Sequence, residues 1–134
     1  MIVLGLFNRK KGKCDPNNDS ISSDDWPNYV VPLDGKNFNS FIEKYPLSVI
    51  DFWAQWCAPC RTMVPRLRRL SKIYKGEVAF GRLNTQKNEE IAKTYGIMGI
   101  PHLIFFCNGK KVGSTTGVVS VGNLKDIIDD LLRK

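Results

Sequence analysis

The sequence has little that a metal centre needs. It contains one histidine, His102, and four cysteines, of which only Cys57 and Cys60 stand close together. A structural zinc takes four Cys/His ligands, usually as two close pairs. Here Cys14, Cys107 and His102 would have to converge from scattered positions, which argues against zinc. The dense cysteine framework of a small secreted domain is also missing. RNP, KH and zinc-finger patterns are absent, so the net charge of +7 is read as solubility and a preference for acidic partners, not as nucleic-acid binding. No apolar run approaches the length of a bilayer span, so no integral membrane segment is expected. No internal repeat is visible.

The N-terminal stretch "MIVLGLFNRKKGKCDPNNDS" places a short apolar run first and basic residues after it, with no apparent cleavage site. A secretory signal has the opposite order. A cytoplasmic protein is therefore expected. The alternatives are an unusual export signal, or peripheral membrane attachment through Ile2, Val3, Leu4, Leu6 and Phe7. Residues 8 to about 28 are rich in Asn, Asp, Ser, Lys and Gly and contain Pro16 and Pro27, a linker-like composition. Residues 1–28 are thus expected to form a partly flexible extension, and 29–134 one folded domain.

Within that domain the hydrophobic period alternates. "YVVPL" (29–33) reads as a short strand that Pro32 confines to an edge. Phe38, Phe41, Ile42 and Tyr45 share one helical face. "LSVIDFW" (47–53) is a nearly continuous apolar run, as in a strand covered on both faces. Met63, Val64, Leu67, Leu70, Ile73 and Tyr74 make a second helical stripe, ended by Gly76. "VAFGRLN" (78–84) predicts another strand, and Ile91, Ala92 and Tyr95 a short helix stopped by Gly96. "HLIFFC" and "KKVGSTT" flank Asn108-Gly109, a strong hairpin signal. Leu124, Ile127, Ile128, Leu131 and Leu132 form a last helix, with Ser120 as its N-cap. The order β-α-β-α-β-α-β-β-α predicts parallel crossovers, an antiparallel end, and helices on both faces of a mixed sheet.

The stretch "FWAQWCAPCRTMVP" (52–65) carries the chemistry. A structural role for a Cys57–Cys60 bridge is weak, because so short a loop contributes only about 2 kcal/mol, against about 4.7 kcal/mol for a 100-residue loop. A redox couple explains more. Cys57 stands where a strand gives way to a helix, near unpaired N–H groups and the positive end of the dipole, which favour thiolate over thiol. Pro59 suits a first helical turn, and Arg61 adds positive charge. Acidity alone achieves little, however. Lowering a thiol pKa from about 8.5 to about 7 raises the thiolate fraction at pH 7 roughly 16-fold. The accompanying loss of nucleophilicity is roughly 5-fold, leaving about 3-fold. The remaining rate must come from holding the partner disulfide in line, so a docking surface is expected beside the pair.

Three more features bear on the site. Asp51 lies in the apolar run; it is read either as a residue at a strand edge or paired with Arg82, or as a buried proton acceptor for Cys60, directly or through a water. Pro101, after Gly99, either marks a strand edge or forms a cis bond suited to a close approach. Trp53 and Trp56 flank the pair, and an exposed one would suit protein contact.

"DFWAQWCAPC", "GIMGIPHLIFF", "NGK" and the glycine of "TTGVVS" resemble the thioredoxin family over residues 29–134. The resemblance implies the thioredoxin fold, an α/β architecture with a central mixed sheet of five strands and four flanking helices. It also implies reduction of protein disulfides. Cys57 then looks like the attacking cysteine, Cys60 the resolving one, Asp51 the buried aspartate, Pro101 the cis-proline and Pro65 the proline inside the second helix. A substrate groove is expected from Trp56, Ala58, Pro59, Ile100, Pro101 and Gly117. The implied partners are thioredoxin reductase and disulfide-containing proteins, the chain acting as a monomer without a cofactor other than its Cys57–Cys60 disulfide. The alternatives are a specialised disulfide oxidant or isomerase and a redox-silent binding subunit. Ala58 stands where glycine is usual, Arg82 where lysine is common, Asn84 and Gln86 where acids are frequent, and His102 where threonine is usual. His102 is expected to be a half-buried strand residue, with modulation of the thiolate as the alternative. Cys14 and Cys107 are expected as reduced bystanders, with a second disulfide or an intermolecular bridge as the alternative.

Overall fold

A computed structural model describes Cys14 and residues 21–132. The apolar arm at residues 2–7 lies outside the described residues. A 3-10 turn, Ser23–Asp25, precedes β1 (Val31–Leu33), α1 (Phe38–Lys44), β2 (Leu47–Trp53), α2 (Ala58–Ile73), β3 (Ala79–Asn84), α3 (Glu89–Thr94), β4 (His102–Cys107), β5 (Lys110–Thr116) and α4 (Val121–Leu132). The sheet order is β1-β3-β2-β4-β5. β1, β3 and β2 run parallel, while β4 and β5 are antiparallel additions. This is the mixed five-stranded sheet with four helices expected from the periodicities. Pro32 costs nothing because β1 is an edge. The hairpin turns on Asn108 and Gly109, at φ 52° and 86°, the left-handed pair that a two-residue connection requires.

Alternation along the strands divides the core. Val49, Leu103, Phe105 and Cys107 face α2 and α4 with Met63, Leu67, Leu70, Leu124 and Ile128. Ile50, Phe52, Ile104 and Phe106 face the other side with Phe38, Phe41 and Ile42 of α1. There Phe38 meets Phe52, Tyr95 and Phe106 edge-on, with ring centroids 5.7–6.4 Å apart, the geometry that aromatic quadrupoles favour. The Tyr74 hydroxyl donates to Asp129 at 2.6 Å and ties the end of α2 to α4.

Packing begins ahead of residue 29. Trp26 is buried against Tyr45, with centroids 5.0 Å apart, and the Tyr45 hydroxyl donates to the Asp25 carbonyl at 3.0 Å. Cys14 belongs to the core on the α2/α4 side. Part of the expected extension is therefore structural, because Trp26 and Cys14 bring apolar surface that the sheet's two faces bury.

Gly81 in β3 marks a close approach. A Cβ there would lie 2.6 Å from Leu33 Cδ1 and 3.3 Å from Ile50 Cδ1. Gly81→Ala is expected to cost about 1–3 kcal/mol through overpacking, read as a lower midpoint in thermal unfolding. An unchanged midpoint would mean that Leu33 repacks freely.

Candidate active site

β2 runs through the centre of the sheet and delivers the chain to α2 at the edge of the core. Cys57 is the N-cap of α2, with extended backbone (φ −93°, ψ 105°), and its Sγ accepts the Cys60 N–H at 3.1 Å. A sulfur in this place receives a helix N–H that has no carbonyl partner, which favours the thiolate once the bond is reduced. Pro59 lies in the first turn, where its missing N–H leaves nothing unsatisfied. Cys57 and Cys60 are joined as a disulfide, with Cα atoms 5.3 Å apart. Arg61 turns back and donates to the Gln55 carbonyl at 3.0 Å. Pro65 is inside α2, where it cannot donate to the carbonyl one turn earlier.

The pair is nearly enclosed. Cys57 is 2% exposed and Cys60 1%, while the adjacent Trp56 is 69% exposed. Ala58 and Pro59 are also exposed. Ile100 packs on the small cluster of Ala54, Cys57 and Cys60. The Ile100–Pro101 bond is cis, and the Gly117 N–H donates to the Pro101 carbonyl at 2.7 Å. Residues 40 and more apart in sequence thus meet around the cysteines. Two contacts hold the segment after Gly117 onto α2: Arg66 donates to the Val119 carbonyl at 2.9 Å, and the Val119 N–H lies 3.5 Å from the Met63 sulfur. Met98, 96% exposed, and Val118, 47% exposed, add apolar surface on the loops that carry Pro101 and Gly117. Neither stands out from the sequence pattern. An apolar residue between two glycines in "GIMGIP" was the available signal for Met98.

Asp51 is fully buried. It lies between Ile50 and Phe52, which face α1, so its own side chain faces α2. Register pairs it with Arg82 of β3, and the two form an ion pair at 3.3 Å through Oδ2. Its Oδ1 is buried with no hydrogen-bond partner among the described residues. Burial pushes the carboxyl up to about 6; the charge of Arg82 and its hydrogen bond pull the other way without cancelling the effect. The Arg82 guanidinium lies 4.3 Å over the Trp53 ring, and Arg82 lines a cavity of about 290 Å³ with Val64, Arg68 and Lys72. The ion pair with Arg82 is therefore formed by a carboxylate that is itself fully buried.

His102 is half-buried, with Nδ1 2.9 Å from the Thr116 hydroxyl. Burial, and then Lys111, push the imidazole below its usual value. The Asn84 side chain accepts the Gln86 and Lys87 N–H groups at 2.8 and 3.2 Å, a turn that an amide serves as well as an acid. Cys14 and Cys107 are not reduced bystanders. They form a second disulfide, spanning 93 residues, because the fold brings their Cα atoms to 5.3 Å, inside the range a disulfide bridges.

Such a geometry joins two sulfurs across the first turn of a helix, one of them accepting the Cys60 N–H of that turn. It defines a thiol–disulfide oxidoreductase built on a mixed α/β sheet. Comparison with known proteins agrees. The sequence model of the thioredoxin family matches residues 29–130. Thioredoxin of Buchnera aphidicola subsp. Acyrthosiphon pisum is 36% identical over 104 residues, covering 77% of this chain and 96% of the relative. The chloroplastic thioredoxin M5 of Oryza sativa is 39% identical over 102 residues, 75% of this chain and 59% of the relative. Among solved structures, a mutant thioredoxin from Halobacterium salinarum NRC-1 superposes with a TM-score of 0.75 at 25% identity, covering 80% of this chain and 94% of that one. The chain belongs to the thioredoxin family. Among the described residues, no helix is long and apolar enough to cross a membrane.

Proposed function

We propose that this oxidoreductase reduces disulfide bonds in other proteins, with Cys57 attacking and Cys60 resolving. The observation that carries the reading is the place of Cys57: it caps α2, its sulfur takes the Cys60 N–H at 3.1 Å, and exposed Trp56 stands beside it. The Cys57 thiolate attacks one sulfur of the substrate disulfide and expels the other as a thiolate, leaving a mixed disulfide. Cys60 loses its proton with help from Asp51 and attacks Cys57 Sγ, which releases the reduced substrate and closes Cys57–Cys60. Thioredoxin reductase then returns two electrons and two protons to the pair. No other cofactor takes part, and the chain acts as a monomer in the cytoplasm.

The near enclosure of Cys57 adds weight to docking. A substrate reaches its sulfur only along a defined approach, so contacts by Trp56, Ala58, Pro59, Ile100, Pro101 and Gly117 set the alignment on which exchange depends. With dithiothreitol as electron donor and insulin as substrate, the chain is expected to release precipitating insulin chains. Trp56→Ala is expected to raise the KM for insulin about 10-fold, the usual weight of an exposed tryptophan anchor. Its rate with a small aromatic disulfide is expected to stay within about 2-fold. Equal losses on both substrates would overturn the docking role.

A further inference from the structure

The second disulfide, Cys14–Cys107, lies in surroundings that differ from those of the first. Exposure does not separate the two pairs: Cys14 and Cys107 are each 4% exposed, close to the values at Cys57 and Cys60. Their neighbours do. Cys57 Sγ accepts a helix N–H at 3.1 Å. Among the described residues, the Cys107 sulfur receives the Asn108 amide at a long 3.9 Å, and both cysteines belong to the apolar cluster with Leu47, Tyr74, Val78, Leu124 and Ile128. A thiolate leaving there is desolvated, so attack on this bond has a poor leaving group.

Position separates them further. Cys107 ends β4, whose first residue, His102, follows Pro101. Five residues of strand span about 17 Å, which puts Cys107 at the far end of the sheet from the groove. There it pairs in register with Leu47, the first residue of β2, and the Asn108 N–H closes that end on the Pro46 carbonyl at 2.9 Å. Loop length is the last difference, 93 residues of separation against 3. A bridge across a long loop gives more stability to the fold, and by linkage the fold holds that bond closed against a reductant to the same degree.

We propose that the two disulfides have separate duties: Cys57–Cys60 turns over, whereas Cys14–Cys107 stays closed throughout and fastens the N-terminal segment to the end of the molecule away from the active site. Opening it takes a full dithiol equivalent. One donor thiolate attacks either sulfur, the other sulfur leaves and takes a proton, and the second donor thiol resolves the mixed disulfide, so that two electrons and two protons reach the pair and the donor becomes a disulfide. A bond this resistant is compatible with the reducing compartment in which the active site is recycled. The inference rests on the redox reading of Cys57–Cys60, and the same experiment separates their failures.

The oxidised full-length chain is equilibrated with graded dithiothreitol, quenched with N-ethylmaleimide, and mapped by peptide mass. Cys57 and Cys60 are expected to label at a dithiothreitol concentration at least about 100-fold below that needed for Cys14 and Cys107, and all four together in guanidinium chloride. Labelling of Cys14 and Cys107 before reductant is added, or together with Cys57 and Cys60 in the native protein, overturns the proposal. Failure of Cys57 and Cys60 to label in the native protein overturns the redox reading instead. In a second measurement, the double variant Cys14→Ser, Cys107→Ala is expected to melt about 10 °C lower and to keep its insulin-reduction rate at permissive temperature. An unchanged melting point overturns the fastening role, and a rate lowered 10-fold overturns the separation of duties. Should the double variant not fold, labelling of the unaltered chain decides the matter.

Discussion

Cys57→Ser is expected to lower dithiothreitol-driven insulin reduction by at least about 10³-fold, to the rate of dithiothreitol alone, as removal of a covalent nucleophile does. Serine keeps the place and size of the side chain and its contact with the Cys60 N–H, but an alcohol neither ionises near neutral pH nor exchanges with a disulfide. Cys60→Ser is expected to fail differently. Attack by Cys57 proceeds, resolution does not, and the mixed disulfide accumulates as a mass increase equal to one substrate chain. Full activity in Cys57→Ser would sink the assignment of the attacking sulfur. Trapping in Cys57→Ser but not in Cys60→Ser would exchange the two roles. Since helix-start acidity supplies only about 3-fold, a variant that kept the thiol but lost the helix cap is expected to lose far less than Cys57→Ser.

Asp51→Asn is expected to make the protein more stable and a slower catalyst at once. Burial raises the Asp51 carboxyl from 3.8 to about 6, so between those two values the folded chain binds more protons than the unfolded chain, and stability falls as pH rises through the window. Below about pH 4 the carboxyl is protonated in both states and carries no such penalty. Above about pH 6 the penalty is complete, about 3 kcal/mol at 1.36 kcal/mol per unit. An amide never ionises. Asp51→Asn is therefore expected to gain up to about 3 kcal/mol in denaturant titrations at pH 8, with the gain vanishing near pH 4. Arg82 loses its partner, but its side chain is 24% exposed and lies over Trp53, so it is not left as a buried unpaired charge. Release of substrate from the mixed disulfide is expected to slow about 100-fold, the lower range for loss of a general base. A loss of stability at pH 8 would mean that the ion pair outweighs the desolvation; unaltered release would remove Asp51 from the proton path.

Much of the architecture was legible because it follows from local periodicity. The apolar run of 47–53 became the central strand, the stripe from Met63 to Tyr74 became α2, and Asn108-Gly109 became the hairpin turn, each for a reason confined to neighbouring residues. Pro32 announced an edge and Ser120 a cap, whose hydroxyl accepts the Asn123 N–H at 3.0 Å. The ion pair of Asp51 with Arg82 was one of two readings, since it depends on a register between strands that local pattern does not specify. The pairing of Cys14 with Cys107 is only an alternative on the sequence. Ninety-three residues of separation carry no distance information, and linker-like composition around Cys14 argued against a buried side chain. Trp26 was overlooked for the same reason: a single tryptophan among Ser, Asp and Asn has no period, and only the groove beside Tyr45 makes it part of the core.

By itself, the sequence determined the alternation of strands and helices, the helix start at which Cys57 sits, and the close spacing of Cys57 and Cys60. Those properties depend on residues within a turn or a strand of one another. Tertiary structure decided that Ile100 packs on the pair and that cis-Pro101 beside it takes the Gly117 N–H, that Asp51 faces α2 with one oxygen on Arg82 and the other without a partner among the described residues, and that Cys14 closes on Cys107. Each of these is a meeting of segments distant along the chain, and such meetings are set by how the sheet orders its strands and which face each side chain is given, not by the residues on either side.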